Sequence, residues 1–345
     1  MRKLLFIFVL GLSACVRQNS NEPCRDEVDV SKSPLKIHIT RLEEELFACK
    51  SKSDIRAFVG KHDSLFKRYD RLPIKKQADS LTNRLWEMVQ SKYMDTLYRE
   101  VKKRFDDTQA GKWKQVAQDF ELAFQHIKHY YPTFQPPKIY TTITGLGSFW
   151  GGRDIYMDKD AIVISLEYYY GKGARYRPPV EQMPNYLWNR LVAEIIVPSC
   201  VLNISNLYNA TDLKDQTAIA DMVYYGKSYA FVRQMMPCLP DSLLAGYTKV
   251  ELANLSDKDN REYIWTYLID KKVLFNESSQ VKTAYLGERP YIAEINKKCP
   301  GRIGRWIGWK IVQKYQKKFP QMPFQALMSK QNAREIFEGS GYNGQ

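Results

Sequence analysis

Histidines, the side chains most often used for proton transfer and zinc binding, are confined to the first part of the chain. They are His38, His62, His126 and His129. The C-terminal two thirds therefore cannot by itself assemble a Ser-His-Asp triad or a histidine metal site. His126 and His129 stand three residues apart, a spacing that lets two imidazoles on one helix share a metal. Because Lys128 lies between them, we expect both histidines to lie on an exposed, solvated face of the helix. We expect the protein to bind neither a metal nor a cofactor.

Carboxylates could supply hydrolytic chemistry without histidine. Two carboxylic acids on either side of a glycosidic bond can cleave it, one as general acid and the other as base or nucleophile. The candidates in this chain are Glu167, Glu194 and Asp221. An envelope hydrolase that acts on peptide or peptidoglycan through carboxylates, without zinc, is therefore one function that the sequence leaves open.

A tyrosine run near the middle of the chain is a candidate binding edge. It consists of Tyr168, Tyr169 and Tyr170, and three basic residues follow it closely: Lys172, Arg175 and Arg177. Aromatic rings and cations together can bind an acidic partner. Alternatively, such tyrosines pack their rings in the core and expose only their hydroxyl groups.

The segment from Cys299 to Val312 carries glycines on one face of a predicted helix, at Gly301, Gly304 and Gly308. Each interior glycine costs a helix about 1 kcal/mol relative to alanine. Such a face is therefore expected where another backbone approaches closely in the core. The alternative is a groove for a partner or ligand, flanked by Arg302, Arg305 and Trp306.

The N-terminus resembles the signal of a bacterial lipoprotein. Arg2 and Lys3 precede an apolar run from Leu4 to Leu12, and Leu12-Ser13-Ala14-Cys15 has the small residues and the cysteine of a lipobox. Cleavage before Cys15 would leave its thiol to carry the lipid that holds the protein on a membrane. The residues after the anchor, Val16 to Asn19, have no aspartate next to Cys15 and no acidic cluster. We therefore expect a lipid anchor in the outer membrane, on its periplasmic face.

The remaining five cysteines are an odd number in an oxidising compartment, so at most two disulfide bonds can form among them. No two of them are separated by only two residues, which argues against a zinc ribbon or a thioredoxin-like site. Sequence order allows Cys24 to pair with Cys49 and Cys200 to pair with Cys238, without indicating either.

The chain of 345 residues carries a net charge of +14, and removal of residues 1–14 with Arg2 and Lys3 leaves +12. In the cytoplasm this charge would suggest nucleic acid. In the envelope it favours acidic protein surfaces, lipid A headgroups or peptidoglycan, and no nucleic acid. We predict a signal peptide at 1–14, a lipidated flexible tether at 15–34 and a single globular domain at 35–340.

The apolar spacing predicts an α+β domain that is mainly α-helical with one small central β-sheet. A strand at 35–39 leads into a helix at 42–47, and residues 54–131 have the three-and-four spacing of amphipathic helices. Strand patterns follow at 139–143, 154–157 and 161–166. Long helices are predicted at about 185–206, 211–236, 248–275 and 301–318, with short helices near 323 and 332.

Several motifs together resemble the gliding-motility lipoprotein GldB family. They are Asp221 to Lys227 (DMVYYGK), Pro240 to Ser242 with Gly246 to Thr248, Glu262 to Trp265 and the helix from Pro300 to Val312. The resemblance extends from about Lys36 to Phe337. It implies a protein needed by the gliding apparatus, which is tied to type IX secretion, and makes components of that machinery the expected partners. Tyr225 and Lys227 lie in the first motif and are added to the candidate binding residues.

A weaker resemblance is to the gluzincin metalloproteases, in which a hairpin precedes a helix bearing HExxH and a second helix supplies a glutamate ligand. Here the HExxH register falls on Ala193-Glu194-Ile195-Ile196-Val197, and the third ligand position falls on Tyr225. Zinc needs three protein ligands, and only Glu194, the general-base position, is retained. A zincin-like fold would thus be a pseudoenzyme with a vestigial Glu194. The sequence favours a non-catalytic scaffold over the carboxylate hydrolase.

Overall fold

The computed structural model describes residues 28–30, 35, 37–69, 76–106, 108, 111–149 and 152–345. The predicted signal peptide, Cys15 and most of the predicted tether lie outside these residues. Val30, in the last part of that tether, is buried against the domain. Within the described residues, no helix combines the length and the apolar character needed to cross a bilayer.

The sheet has four strands in the spatial order β1, β2, β4, β3, with bounds Ile39–Arg41 for β1, Lys138–Thr142 for β2, Ile155–Met157 for β3 and Ala161–Ser165 for β4. β1 and β4 both run parallel to β2, and β3 closes one edge antiparallel to β4. Every residue of β4 is buried, which is typical of a strand covered on both faces.

Between the first two strands, the described residues form a series of helices. Their bounds are Leu42–Ala48 for α1, Lys52–Lys61 for α2, Asp63–Tyr69 for α3, Lys76–Gln90 for α4, Lys92–Arg104 for α5 and Trp113–Tyr130 for α6. Ser51 begins α2 with a capping box, in which its hydroxyl accepts from the Asp54 amide and the Asp54 carboxylate accepts in return. The helices predicted from the apolar spacing of residues 54–131 are confirmed as α2 to α6, which are 7 to 18 residues long.

The C-terminal half is also helical. Its helices are Asn185–Trp188 for α7, Ile196–Ile204 for α8, Ala218–Met235 for α9, Asp241–Ala245 for α10, Lys249–Ser256 for α11, Lys258–Asp270 for α12, Ser279–Leu286 for α13, Ile303–Lys318 for α14, Phe324–Ser329 for α15 and Ala333–Ser340 for α16. Together with the small mixed sheet, this confirms the mainly helical α+β class.

Two predicted long helices are each divided in the structure. The segment 185–206 contains α7, a 3₁₀ turn at Ala193–Ile195 and α8, because residues 189–192 leave the helical path. The segment 248–275 divides at Asp257, whose side chain accepts from the Asn260 amide and so begins α12 as an N-cap. A turn causes the first break and a polar N-cap causes the second. The spacing of apolar residues carries no information about either.

The centre of the domain is the crossing of α9 and α14. Of the 18 residues of α9, 13 are buried, so this helix contacts protein on nearly every side. A Cβ on Gly226 would lie 2.2 Å from the Gly308 carbonyl oxygen, and a Cβ on Gly308 would lie 1.7 Å from the Met222 carbonyl oxygen. The two backbones therefore touch directly, and the glycine face of α14 packs in the core.

The cysteines do not follow either pairing that sequence order allowed. Cys49, Cys200 and Cys299 are free, whereas Cys238 is disulfide-bonded. Both suggested pairs, Cys24 with Cys49 and Cys200 with Cys238, are thus wrong. Burial raises the pKa of the Cys299 thiol to about 12 and that of the Cys200 thiol further, so neither is a reactive thiolate.

Candidate functional site

Glu194 lies in the 3₁₀ turn before α8 and forms an ion pair with Lys112. The Lys112 Nζ donates to Glu194 Oε1 at 2.9 Å, and the glutamate side chain is 41% exposed. Partial burial acts to raise the pKa of Glu194, but the hydrogen bond and the charge of Lys112 outweigh it, so the pKa lies below its usual range. The carboxylate is therefore ionised and held by a cation.

The positions of the zincin register do not form a metal-binding surface. Ala193 and Val197 are buried in the core, and the register straddles a 3₁₀ turn and the first residues of α8 instead of lying within one α-helix. Tyr225 is half-buried and stacks against Arg305. Among the described residues, no group of three or more histidine, cysteine, aspartate or glutamate side chains is placed to hold a metal.

His126 and His129 occupy different environments on α6. His129 is exposed, as the sequence suggested. His126 is 1% exposed and its Nδ1 is 2.9 Å from the Leu122 carbonyl oxygen. The expectation of a solvated pair is therefore wrong for His126, which the helix turns toward the core.

Glu167 is enclosed by the loop that follows β2. Its Oε1 accepts from the Thr144 amide at 2.7 Å, the Thr144 hydroxyl at 2.8 Å and the Leu146 amide at 3.2 Å. Gly145, Leu146 and Gly147 all have positive φ, a conformation that turns successive amides toward one point and makes a concave anion site. This loop therefore binds the protein's own carboxyl group, and burial raises the pKa of Glu167 despite the three hydrogen bonds.

Asp221, the third candidate carboxylate, lies near the start of α9 and pairs with Lys282 of α13 at 3.1 Å. Glu194 is held by Lys112, just before α6, and Glu167 by the loop after β2. The three carboxylates are thus engaged by three different parts of the fold. The arrangement favours structural roles for them over an acid–base pair across one groove.

The tyrosine run packs into the domain. Tyr168 is 5% exposed, and Tyr169 is fully buried with its hydroxyl donating to Asp154 Oδ2 at 2.9 Å. Burial raises the pKa of Tyr169 well above its usual value. Tyr170 remains half-buried, with the guanidinium of Arg104 5.9 Å from its ring centroid. Of the three rings, only Tyr170 has substantial access to a partner.

Lys227 is a cation inside the protein, 2% exposed. Its Nζ donates to three main-chain carbonyl oxygens: Ala210, Met328 at 3.2 Å and Lys330 at 2.8 Å. Burial lowers the pKa of the ammonium to about 8. The side chain therefore joins α9 to the loop before it and to the end of α15, and it is out of reach of an external ligand.

The candidate residues around α14 do come together with Tyr225. Arg305 Nε donates to the Leu286 carbonyl oxygen at 2.7 Å, and its guanidinium lies 4.3 Å from the Tyr225 ring centroid. Arg302 Nη2 donates to the Gly246 carbonyl oxygen at 3.1 Å, with its guanidinium 5.4 Å from the Tyr247 ring. Trp306 is 5% exposed and packs edge-on against Trp309. The two arginines therefore form a cationic cluster, and Trp306 belongs to the core beneath it.

Sequence reasoning did not identify two further members of this cluster, Arg190 and Glu288. Arg190 Nη1 donates to Glu288 Oε2 at 2.9 Å, and Arg302 Nε lies 3.3 Å from Glu288 Oε1. These residues are about a hundred positions apart and carry no motif. Only the fold brings them together, so no local signal in the sequence could have identified them.

Comparison with protein families gives one match, to the model described as gliding motility protein GldB, over residues 23–344. No curated protein and no solved structure matches the chain.

Proposed function

The chain belongs to the gliding motility protein GldB family, and from this premise we propose a non-catalytic scaffold role in the gliding apparatus and the type IX secretion machinery tied to it. The family connects the chain with gliding motility. The scaffold role and the link to secretion are our proposal, with proteins of that machinery as the partners.

The observation that carries the scaffold role is the condition of Glu194. In the zincin register the two histidine positions are Ala193 and Val197, both buried, and the third ligand position is Tyr225, which Arg305 covers. The remaining Glu194 is held by Lys112. Its lowered pKa leaves it a weak base at neutral pH, because the best general bases have pKa values near the working pH. These features support a domain that binds and positions other proteins.

We further propose that Cys15 carries the lipid and that the protein lies on the periplasmic face of the outer membrane. The complete lipobox and the absence of an aspartate next to Cys15 support this placement. The net charge of +12 after signal removal favours acidic protein surfaces, with lipid A headgroups or peptidoglycan as further contacts.

The scaffold proposal predicts that gliding does not depend on the exposed carboxylates. We expect a strain whose only copy carries Glu194→Gln and Asp221→Asn to glide as fast as wild type, because each of these side chains is 41% exposed and pairs with one lysine. Cell tracking on agar measures speed, and immunoblotting checks that protein levels match. Loss of gliding at an unchanged protein level would favour the hydrolase instead.

The anchor proposal predicts that Cys15→Ser releases the protein from the membrane fraction, because a serine hydroxyl cannot take the thioether-linked lipid. Fractionation followed by immunoblotting measures the distribution. Cys49→Ser is the matched control, since Cys49 is a free, half-buried cysteine of the domain. A Cys15→Ser protein that still sediments with membranes, as the control does, would contradict a lipid at this position.

A further inference from the structure

A groove of about 290 Å³ runs beside α8, α9 and α10, close to the lower end of the size range of small-molecule sites. Six of its apolar lining residues are Leu187, Leu191, Ile195, Leu202, Val232 and Leu243. Most of these side chains are only half-buried, so the groove is open to a ligand. None of the functional candidates Glu194, Glu167 and Asp221 lines it.

Three arginines line this groove, one after α7 and two at the start of α14. Arg190, Arg302 and Arg305 all line the groove with Glu288. Glu288 pairs with both Arg190 and Arg302, and Arg305 has no carboxylate within 4.0 Å in the part of the chain that the structure describes. The groove's other carboxylate, Asp154, accepts from the Tyr169 hydroxyl. The lining as a whole thus carries more positive than negative charge.

Arg302 is held in place before any ligand arrives. It is nine-tenths buried, its backbone has a φ of +61° at the start of α14, and it donates to the Gly246 carbonyl oxygen. Its Nε is enclosed by the protein and lies 3.3 Å from Glu288 Oε1. The guanidinium is therefore oriented, and paired with one carboxylate, before any other anion binds.

We propose that this groove binds a straight-chain carboxylic acid of medium length. The carboxylate lies against the guanidinium groups, whose planar donors match its two oxygens, and the alkyl chain lies along the leucine-rich wall. The groove has room for about ten water-sized groups, which corresponds to octanoate. Glu288, with a side chain that is 38% exposed, turns toward solvent when the ligand carboxylate takes its place.

Calorimetric titration of the full chain in lipid nanodiscs, with empty nanodiscs as blank, tests this ligand class. Each methylene removed from water strengthens binding by about fourfold, so octanoate should bind at least 100-fold more tightly than acetate. Octanol, which has the chain without the charge, should bind at least tenfold more weakly than octanoate. Equal affinity for octanol and octanoate, or for acetate and octanoate, would overturn the proposal.

Two variants should shift octanoate affinity in opposite directions. Arg190→Gln removes one cation and should weaken binding at least fivefold. Glu288→Gln removes the competing carboxylate and should tighten binding at least threefold. Arg289→Gln is the matched control, because Arg289 pairs with Glu294 and does not line the groove; its affinity should equal that of wild type.

Non-specific association of the alkyl chain would leave all three variants equal to wild type, and that result would refute the site.

A further variant, Leu202→Trp, tests the apolar lining of the groove without touching a charge. The larger ring fills the space beside α8 and should weaken octanoate at least tenfold. Thermal melting of each variant checks that it folds, and unchanged octanoate affinity in a folded Leu202→Trp protein would also overturn the proposal.

Discussion

Gly308→Ala is expected to destabilise the fold by at least about 3 kcal/mol, the upper part of the range for overpacked cores. The added methyl would lie 1.7 Å from the Met222 carbonyl oxygen and 2.4 Å from its carbonyl carbon. These are main-chain atoms inside α9, so they cannot rotate away as a side chain could. The two helices must separate, and the contacts that their separation breaks include the edge-on packing of Trp309 of α14 against Tyr229 of α9.

Two other glycines give a graded comparison. At Gly304 the new methyl meets side-chain ends, with Leu286 Cδ2 at 2.8 Å and Met222 Cε at 3.3 Å, so Gly304→Ala should cost about 1 to 3 kcal/mol. Gly60, in α2, has no heavy atom within 4 Å of the added Cβ. Gly60→Ala should therefore stabilise by up to about 1 kcal/mol through helix propensity.

Urea unfolding followed by circular dichroism measures the free energy of unfolding for the three variants. The expected order of stability is Gly60→Ala, wild type, Gly304→Ala and Gly308→Ala, from highest to lowest. A Gly308→Ala protein as stable as wild type would show that α9 and α14 do not meet at their backbones.

Lys227→Met has the second large expected effect, a loss of about 3 kcal/mol or more. The methionine side chain matches the length of the lysine stem but donates nothing to the carbonyl oxygens of Ala210, Met328 and Lys330. The Met328 oxygen still accepts from the Ala210 amide at 3.0 Å, so the cost falls on the oxygens of Ala210 and Lys330. Each buried acceptor left without a donor costs about 1 to 3 kcal/mol, and removal of the buried charge offsets only part of this. Lys249→Met, at an exposed position on α11, is the control and should change the unfolding free energy by less than about 0.5 kcal/mol.

The same lysine should make stability depend on pH in a specific window. Burial lowers the pKa of Lys227 in the folded state to about 8, whereas an unfolded lysine has a pKa of about 10.4. Between these values the unfolded state binds more protons than the folded state, so the free energy of unfolding rises with pH in that interval. Below about pH 8 both states are charged and the full cost of burying the charge is present.

Carbon-13 NMR of lysine Cε resonances measures this titration directly. One resonance should titrate near pH 8 in wild type and be absent from Lys227→Met, and the variant should lack the wild-type rise in stability between pH 8 and 10. If every lysine resonance titrates above pH 10, the ammonium of Lys227 does not have the lowered pKa.

The fold class was predictable because it depends on patterns that extend over many residues. The three strands β2, β3 and β4 coincide with alternating or continuously apolar runs of sequence. The amphipathic spacing of residues 81–105 indicates helices without any knowledge of what they pack against. The glycine face of α14 also indicated close packing from sequence alone. Its partner, Gly226 of α9, could not be identified, because the match of two glycines depends on how the helices cross.

The candidate site was less predictable for a related reason. Tyr225 and Arg305 were each identified from motifs, but their contact depends on the crossing of α9 and α14. Lysine side chains are usually exposed, whereas Lys227 is buried. Its burial is possible because the end of α15 supplies carbonyl oxygens that accept from its ammonium group. Arg190 and Glu288 belong to no sequence motif. Their place in the cationic cluster is set only by the residues that the fold brings next to them.

The contact between Gly226 and Gly308 also has a mechanical consequence. Helices separated by side chains can slide, because the side chains adopt new rotamers as the interface shifts. At this crossing, sliding α14 by one residue would put Ile307 or Trp309 where the Met222 carbonyl oxygen leaves no room even for a methyl group. The joint therefore resists shear, and a pulling force applied to the domain of a motility protein would be transmitted through α9 and α14 as through one rigid body.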